Sequence, residues 1–324
     1  MVNFFDDTYN VSMEIDVTIN LGKIRRNLTA YTGQIILMVK ADAYGHGLQQ
    51  VARAVDDLVC GYGVATVEEG MLLRECTDKD VLVCQWSVDE TEVAEHNNLT
   101  LSVTDFDSLD YVKGKAVKSI LKANTGMNRF GFDREAVALL KSKLKGVAPL
   151  GVYSHVYSPT ALQPQRQLFN EFCELLCLDG HLLSSHYNHV PHQIIRVGIG
   201  AYEGAMTVTS RVVAVRKLKK GDNVGYGNVL ERDGHVAWVF GGYADGICRE
   251  RPQPMMIGGQ EVESVAVCMD STAVFTGEYR PKVGDEVVLV GQNLTINKIA
   301  QSTLTTPYTV MTCWRGRVKR TYRC

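Results

Sequence analysis

Eight short apolar runs recur between residues 34 and 200, and most are separated by stretches with helical spacing. The runs are QIILMV (34–39), GYGVAT (61–66), VLVCQW (81–86), LTLSVT (99–104), VKSILKA (117–123), PLGVYS (149–154), HLLSS (181–185) and RVGIG (196–200). Between them, LQQVARAVDDL, DREAVALLKSKL and QRQLFNEFCELL repeat apolar residues at i, i+3, i+4 and i+7, the period of a helix with one buried face. Strands alternating with helices are joined by crossovers, which makes the sheet parallel, and eight of them suit an α/β (β/α)8 TIM-like barrel. Counting strands does not distinguish a closed barrel from a doubly wound open sheet. The seventh crossover is the tightest: only HYNHVPHQII separates HLLSS from RVGIG. That is close to the lower limit for a parallel connection, so its helix must be very short.

After about residue 205 the texture changes. SRVVAVRKL, HVAWVF, SVAVCMD, TAVFTG and EVVLVG alternate apolar and polar residues, are rich in β-branched side chains, and lack helical periodicity. LKKGDNVGYG and PKVGDEVVLVG share a Lys-x-Gly-Asp-x-Val phrase, a turn feeding a strand in each case. The expected organisation is an N-terminal extension (1–13), a barrel (14–205) and a mostly β C-terminal domain (206–324).

Composition narrows the address and the partners. The net charge of −2 gives no reason to expect nucleic acid or an anionic membrane as partner. No apolar run approaches the ~20 residues of a membrane span. MVNFFDDTYNVSMEID is acidic where a signal peptide would be basic. The nine cysteines are scattered without a CxxC pair, which reads as reduced thiols in a cytoplasmic protein, with no metal site.

In a (β/α)8 barrel the working side chains project from the carboxyl ends of the strands. Those ends carry Lys40 and Tyr44 in MVKADAYGHG, Lys122 to Arg129 in KANTGMNR, His155 in YSHVYS, Ser184 and Ser185 in HLLSS, and Arg196 and Gly198 in RVGIG. Each has an ordinary alternative: Lys40 as a solvated strand-end lysine, His155 as a core histidine, Ser185 as a helix cap. Converging on one mouth, a basic and hydroxylic set with glycine-flanked turns suits a phosphate-bearing, electron-withdrawing cofactor, and a lysine amine there can form an imine with an aldehyde.

MVKADAYGHG, KANTGMNRFGF, YSHVYS, RVGIGAYEG, NVGYG, GGYADG, AVCMDST and TPYTVMTCWRGRVKR, in that order, resemble the alanine racemase family from about residue 14 onward. Those are fold-type III pyridoxal 5′-phosphate (PLP) enzymes, a (β/α)8 barrel followed by a β-domain. The resemblance implies that Lys40 holds the cofactor and then serves as a base on one face of the substrate Cα. Tyr226 in NVGYG is implied as the opposite base, entering from the neighbouring subunit of a head-to-tail homodimer. Arg196 is implied at the pyridine nitrogen, and His155 against the ring, orienting Tyr226 and Arg196. Tyr44, Ser185, Gly198 and Ile199 are implied around the phosphate. Arg129 is implied at the substrate carboxylate, with Met269, Asp270 and Tyr243 contributed by the partner. Lys122 falls where some members carry a carbamylated lysine.

The residue types suit racemisation of a small amino acid. Removing a Cα proton on one face and returning it on the other needs two flanking bases. Lysine and tyrosine, at ~10.4 and ~10, need positive neighbours or desolvation to act near neutrality. A guanidinium at the pyridine nitrogen stays protonated, donates a hydrogen bond and leaves the ring neutral. Three departures stand out. Ser184 replaces an asparagine of the phosphate phrase, and the seventh crossover is shortened. Gly316 stands where a tyrosine usually limits the pocket, while Trp314, at a position usually small, is large enough to refill the room. The expected activity is interconversion of L- and D-alanine, supplying D-alanine for peptidoglycan. The alternatives are a serine or broad-specificity racemase, a fold-type III decarboxylase, and a PLP carrier.

Overall fold

The computed structural model describes residues 13–183 and 194–324, and they divide into two compact units, 24–202 and 203–324 with 13–23. Ser184, Ser185 and nearly all of HYNHVPHQII lie outside the described residues.

In the first unit every one of the eight apolar runs forms a strand. They are β2 (Gln34–Met38), β3 (Gly61–Val64), β4 (Asp80–Val83), β5 (Thr100–Val103), β6 (Lys118–Lys122), β7 (Val152–His155), β8 (Gly180–Leu183) and β9 (Ile194–Val197), with β1 (Ile15–Asn20) preceding them in the other unit. The hydrogen-bonded order is β8-β7-β6-β5-β4-β3-β2-β9, and every recorded pairing is parallel. The two ends of that order, β8 and β9, lie side by side, which closes the sheet into a TIM-like barrel. Leu82 of β4 and Tyr153 of β7 meet Ile120 of β6 and Ile194 of β9 in an interior layer, a packed core rather than a pore. Outside, helix α3 (Leu48–Val55) buries Leu48, Val51, Ala52 and Val55, which is the i, i+3, i+4, i+7 face read from LQQVARAV. Helix α8 (Leu162–Leu176) does the same with Gln165, Phe169, Phe172 and Leu176.

The second unit is a mostly antiparallel sheet. Its strands are β10 (Met206–Leu218), β11 (Asn223–Val224), β12 (Asn228–Val229), β13 (Gly234–Phe240), β14 (Pro254–Ile257), β15 (Gln260–Val267), β16 (Ser271–Gly277), β17 (Glu286–Val290) and β18 (Val318–Arg323). The larger sheet runs β13-β16-β15-β14-β17-β10-β1-β18, and β13 also pairs with the long β10. The two Lys-x-Gly-Asp phrases fold alike: Asp222 accepts from the Lys219 N–H and Asp285 from the Lys282 N–H, each at 2.8 Å.

Two features differ from the sequence reading. Residues 14–23 were grouped with the barrel, but β1 pairs antiparallel with β10 and parallel with β18, so it completes the β unit. Its alternation buries Ile15, Val17 and Ile19 on one face. The C-terminal unit also contains two helices, α10 (Ile296–Ser302) and α11 (Pro307–Thr312), capped by Thr295 and Thr306. No helix among the described residues is long and apolar enough to cross a membrane.

Candidate active site

Strand β2 delivers Lys40 into an unusual turn, α2 (Lys40–Gly45), in which Ala41, Asp42, Ala43 and Tyr44 all have φ between 52° and 55°. Left-handed backbone costs a non-glycine residue roughly 1–2 kcal/mol, so four in succession persist only if the surroundings hold them. The holding groups are visible. Glu69 on helix α4 (Val67–Arg74) accepts from the Ala41 N–H at 2.6 Å and the Ala65 N–H at 2.7 Å. Ala43 N–H donates to Val39 O at 2.7 Å, and the Asp42 carboxylate accepts from Leu48 N–H at 2.8 Å, joining the turn to α3. His46 is buried with Nδ1 at 2.9 Å from Tyr44 O and 3.1 Å from Ala43 O. Both partners are carbonyls, so Nδ1 carries the proton.

The turn presents Tyr44 to the exit of β9. A Cβ on Gly198 would stand 2.9 Å from the Tyr44 hydroxyl, so a side chain there would displace the phenol. Helix α9 (Ile199–Tyr202) follows, and its Tyr202 packs on Tyr44 at 5.0 Å and on His46 at 4.8 Å while donating to Met38 O. Two residues before Gly198, Arg196 is buried and its Nη2 lies 2.5 Å from His155 Nδ1. Guanidinium only donates, so this nitrogen of His155 accepts. Gln165 fixes the exit of β7 by donating to His155 O at 3.0 Å and accepting from Tyr157 N–H.

Lys122, at the end of β6, is only 7% exposed. Its amine lies over the rings of Phe130 at 5.3 Å and Tyr153 at 5.7 Å. Burial first, and the positive charges of Arg129, Arg196 and Lys40 after it, lower its pKa to about 8. Arg196 shares the Tyr153 ring at 5.7 Å, and the Tyr153 hydroxyl, whose pKa burial raises, is bonded to Ser102 Oγ at 2.6 Å. Arg129 is exposed above Phe130. The structure thus assembles Lys40, Lys122, Arg129 and Arg196 in one barrel, and among the described residues none forms an ion pair with a carboxylate. Ser185, expected at the phosphate, lies outside the described residues.

In the C-terminal unit, Tyr226 sits at the tip of the β11–β12 hairpin between Gly225 (φ 63°) and Gly227 (φ 96°) and is 82% exposed. Met269 and Asp270 form the exposed tip of the β15–β16 turn, closed by Cys268 N–H to Ser271 O at 2.8 Å. The short turn Tyr243–Asp245 docks on that tip: Tyr243 N–H donates to Cys268 O and Ala244 N–H to Met269 O. Asp245, 1% exposed, anchors the turn by accepting from Gly242 N–H and, bidentate at 2.9 and 2.8 Å, from Arg317. Arg249 lies over the Tyr243 ring. Gly316 has φ 72°, and a Cβ there would meet nothing within 4 Å. Trp314 is buried at 1% exposure and its indole N–H has no hydrogen-bond partner among the described residues. The indole is therefore enclosed by protein and does not stand in the open space beside Gly316.

Glu69 and Gln165, which bond to the backbone beside Lys40 and at His155, are residues of the candidate site that the sequence reading missed. Thr66-x-x-Glu69 carries a capping-box spacing, and Thr66 does cap α4. That signal places Glu69 at a helix start, but nothing in it points to a bond with Ala41.

Comparison with known proteins gives the family. The family model "Alanine racemase, N-terminal domain" matches residues 16–205, and "Alanine racemase, C-terminal domain" matches 205–322. The biosynthetic alanine racemase of Escherichia coli K12 is 33% identical, with 94% of this chain and 98% of that protein covered. The alanine racemase of D-cycloserine-producing Streptomyces lavendulae superposes with a TM-score of 0.88 at 26% identity, over 96% and 97% of the two chains. The biosynthetic enzyme of Pseudomonas aeruginosa gives 0.85, also at 26% identity, over 96% and 99%. With both family models matched end to end and the barrel and β unit in the same order, the chain belongs to the alanine racemase family of isomerases.

Proposed function

We propose that the chain is a PLP-dependent racemase that interconverts L- and D-alanine with two bases, Lys40 of one subunit and Tyr226 of a second copy. The observation that carries this reading is the set of four cationic groups in the barrel that, among the described residues, have no paired carboxylate: such a site suits an anionic cofactor and an anionic substrate. The donor chemistry fits PLP. Lys40 would hold it covalently, and the Tyr44 hydroxyl, Ser185 and the backbone at Gly198 and Ile199 would take its phosphate. When bound, PLP supplies an electron-withdrawing π-system that acidifies the substrate Cα–H.

The chain's own residues do the rest. Arg129 binds the substrate carboxylate. Arg196 would donate a hydrogen bond to the pyridine nitrogen, and a guanidinium there, unlike a carboxylic acid, would not protonate it, which would leave PLP a weaker electron sink. That favours prompt return of a proton to Cα over transamination. His155, accepting from Arg196, holds the guanidinium in place. The exposure of Tyr226, 82% for a phenol at a hairpin tip, supports its entry into the site of a second subunit, with Met269, Asp270 and Tyr243 closing the same mouth in a head-to-tail homodimer. The D-alanine formed would serve peptidoglycan synthesis. Nine cysteines, all free, are in keeping with a cytoplasmic address.

A broader substrate range is favoured by one observation: Gly316 leaves open space where the resemblance expects a phenol, so serine is the next substrate to test. Incubation with L-alanine and PLP in D2O is expected to yield D-alanine with deuterium at Cα. Carbon dioxide release would point to a decarboxylase, and PLP binding without exchange to a carrier; either result overturns the proposal.

A further inference from the structure

We propose that Glu69 is the positioning residue that presents the Lys40 amine to the cofactor; this rests on the reading of Lys40 as the cofactor lysine. Both Glu69 oxygens are used on backbone, one on the Ala41 N–H at 2.6 Å and one on the Ala65 N–H at 2.7 Å. One side chain therefore straps the exit of β2 to the exit of β3. The strap lies at the peptide that joins Lys40 to the first left-handed residue, where the chain departs from the strand. Rotation of that peptide would swing the Lys40 side chain away from the mouth and release the four-residue turn that carries Tyr44.

The type of residue matters. A carboxylate can accept from two N–H groups at once, whereas a glutamine at the same place offers one oxygen and turns an NH2 toward the other donor. Charge-assisted bonds of this kind correspond to about ten- to a hundredfold in an equilibrium. Among the described residues Glu69 forms no ion pair, so its charge is spent on these two amides. Asp42 and His46 hold the later part of the turn; at its beginning the Ala43 N–H bonds back to Val39 O, and Glu69 takes the Ala41 N–H.

The test follows PLP attachment to the cofactor-free protein by imine absorbance, then by borohydride reduction and peptide mapping. Wild type is expected to carry the reduced label on Lys40. Glu69→Gln is expected to slow attachment about tenfold, and Glu69→Ala more, with circular dichroism and Tm little changed. Glu69→Asp, able to reach one amide only, is expected to fall between wild type and Glu69→Gln. An ester-linked lactic acid in place of the alanine at position 41, which removes that N–H without altering a side chain, is expected to reproduce the slowing and decides the matter if the Glu69 variants fold poorly. Attachment at the wild-type rate in the folded variants, or in the ester, overturns the role of Glu69. A label on another lysine in wild type overturns the reading of Lys40, and the Glu69 assignment with it.

Discussion

Replacing Lys122 by methionine should stabilise the cofactor-free protein, and only at pH values where the lysine is charged. The fall of its pKa from 10.5 to about 8 arises from burial and from Arg129, Arg196 and Lys40. At about 1.4 kcal/mol per pH unit this corresponds to roughly 3 kcal/mol held against the charged form. The sign follows from linkage. A lysine with a depressed folded pKa binds fewer protons folded than unfolded, so its cost is full below pH 8 and fades as pH rises toward 10.5. Allowing for solvent at the barrel mouth, ~2 kcal/mol of the difference between pH 7 and pH 10 should survive. Methionine keeps the stem between Phe130 and Tyr153 and loses the charge. Urea unfolding of both proteins at both pH values, at one protein concentration, isolates this term, because other titrating groups cancel in the double difference. A gain from Lys122→Met that is the same at pH 7 and pH 10 would refute the argument that the buried amine resists its own charge.

Three further outcomes follow. Arg317→Ala leaves the Asp245 carboxylate buried with only the Gly242 amide, and the unfolding free energy should fall by about 2–3 kcal/mol, reduced from the full buried-pair value because Arg317 is half exposed; a change under ~0.5 kcal/mol would remove Asp245 as the anchor of the Tyr243 turn. Gly316→Tyr should lower the serine-to-alanine ratio of kcat/KM, at a stability cost of ~1–2 kcal/mol for a side chain at φ 72°; an unchanged ratio would mean that this position does not line the pocket. Tyr226→Phe should slow exchange of the L-alanine Cα proton in D2O far more than that of D-alanine, and equal losses would deny it a one-sided role.

The barrel is legible because most of its strands are local apolar runs followed by a helix with a readable face, as at QIILM and LQQVARAV. The β unit was legible from alternation and from turn phrases whose aspartates do cap their own loops. What escaped notice depends on distant partners. Nothing in IDVTIN says that Asp16 will pair with Thr209 on one side and Lys319 on the other. The helices α10 and α11 are six or seven residues long, too short for a periodic signal, although Thr295, Thr306 and Pro307 mark their starts. Within the site, the motifs give Lys40 and Arg196, but the left-handed backbone of Ala41–Tyr44 has no glycine to announce it. The groups that hold it, Glu69 above all, act through backbone amides that any residue would offer.

Subunit complementation is the most direct test of a site shared between two chains. Lys40→Ala and Tyr226→Phe homodimers are each expected to be nearly inactive. Unfolded together and reassembled in equal amounts, half of the dimers should be mixed, and one of the two sites in each should have both native bases. Racemase activity should then return to about a quarter of the wild-type value. No recovery, with mixed dimers shown to form, would mean that both groups serve from the same chain, and an active homodimer of either variant would mean that the group it replaces does not serve.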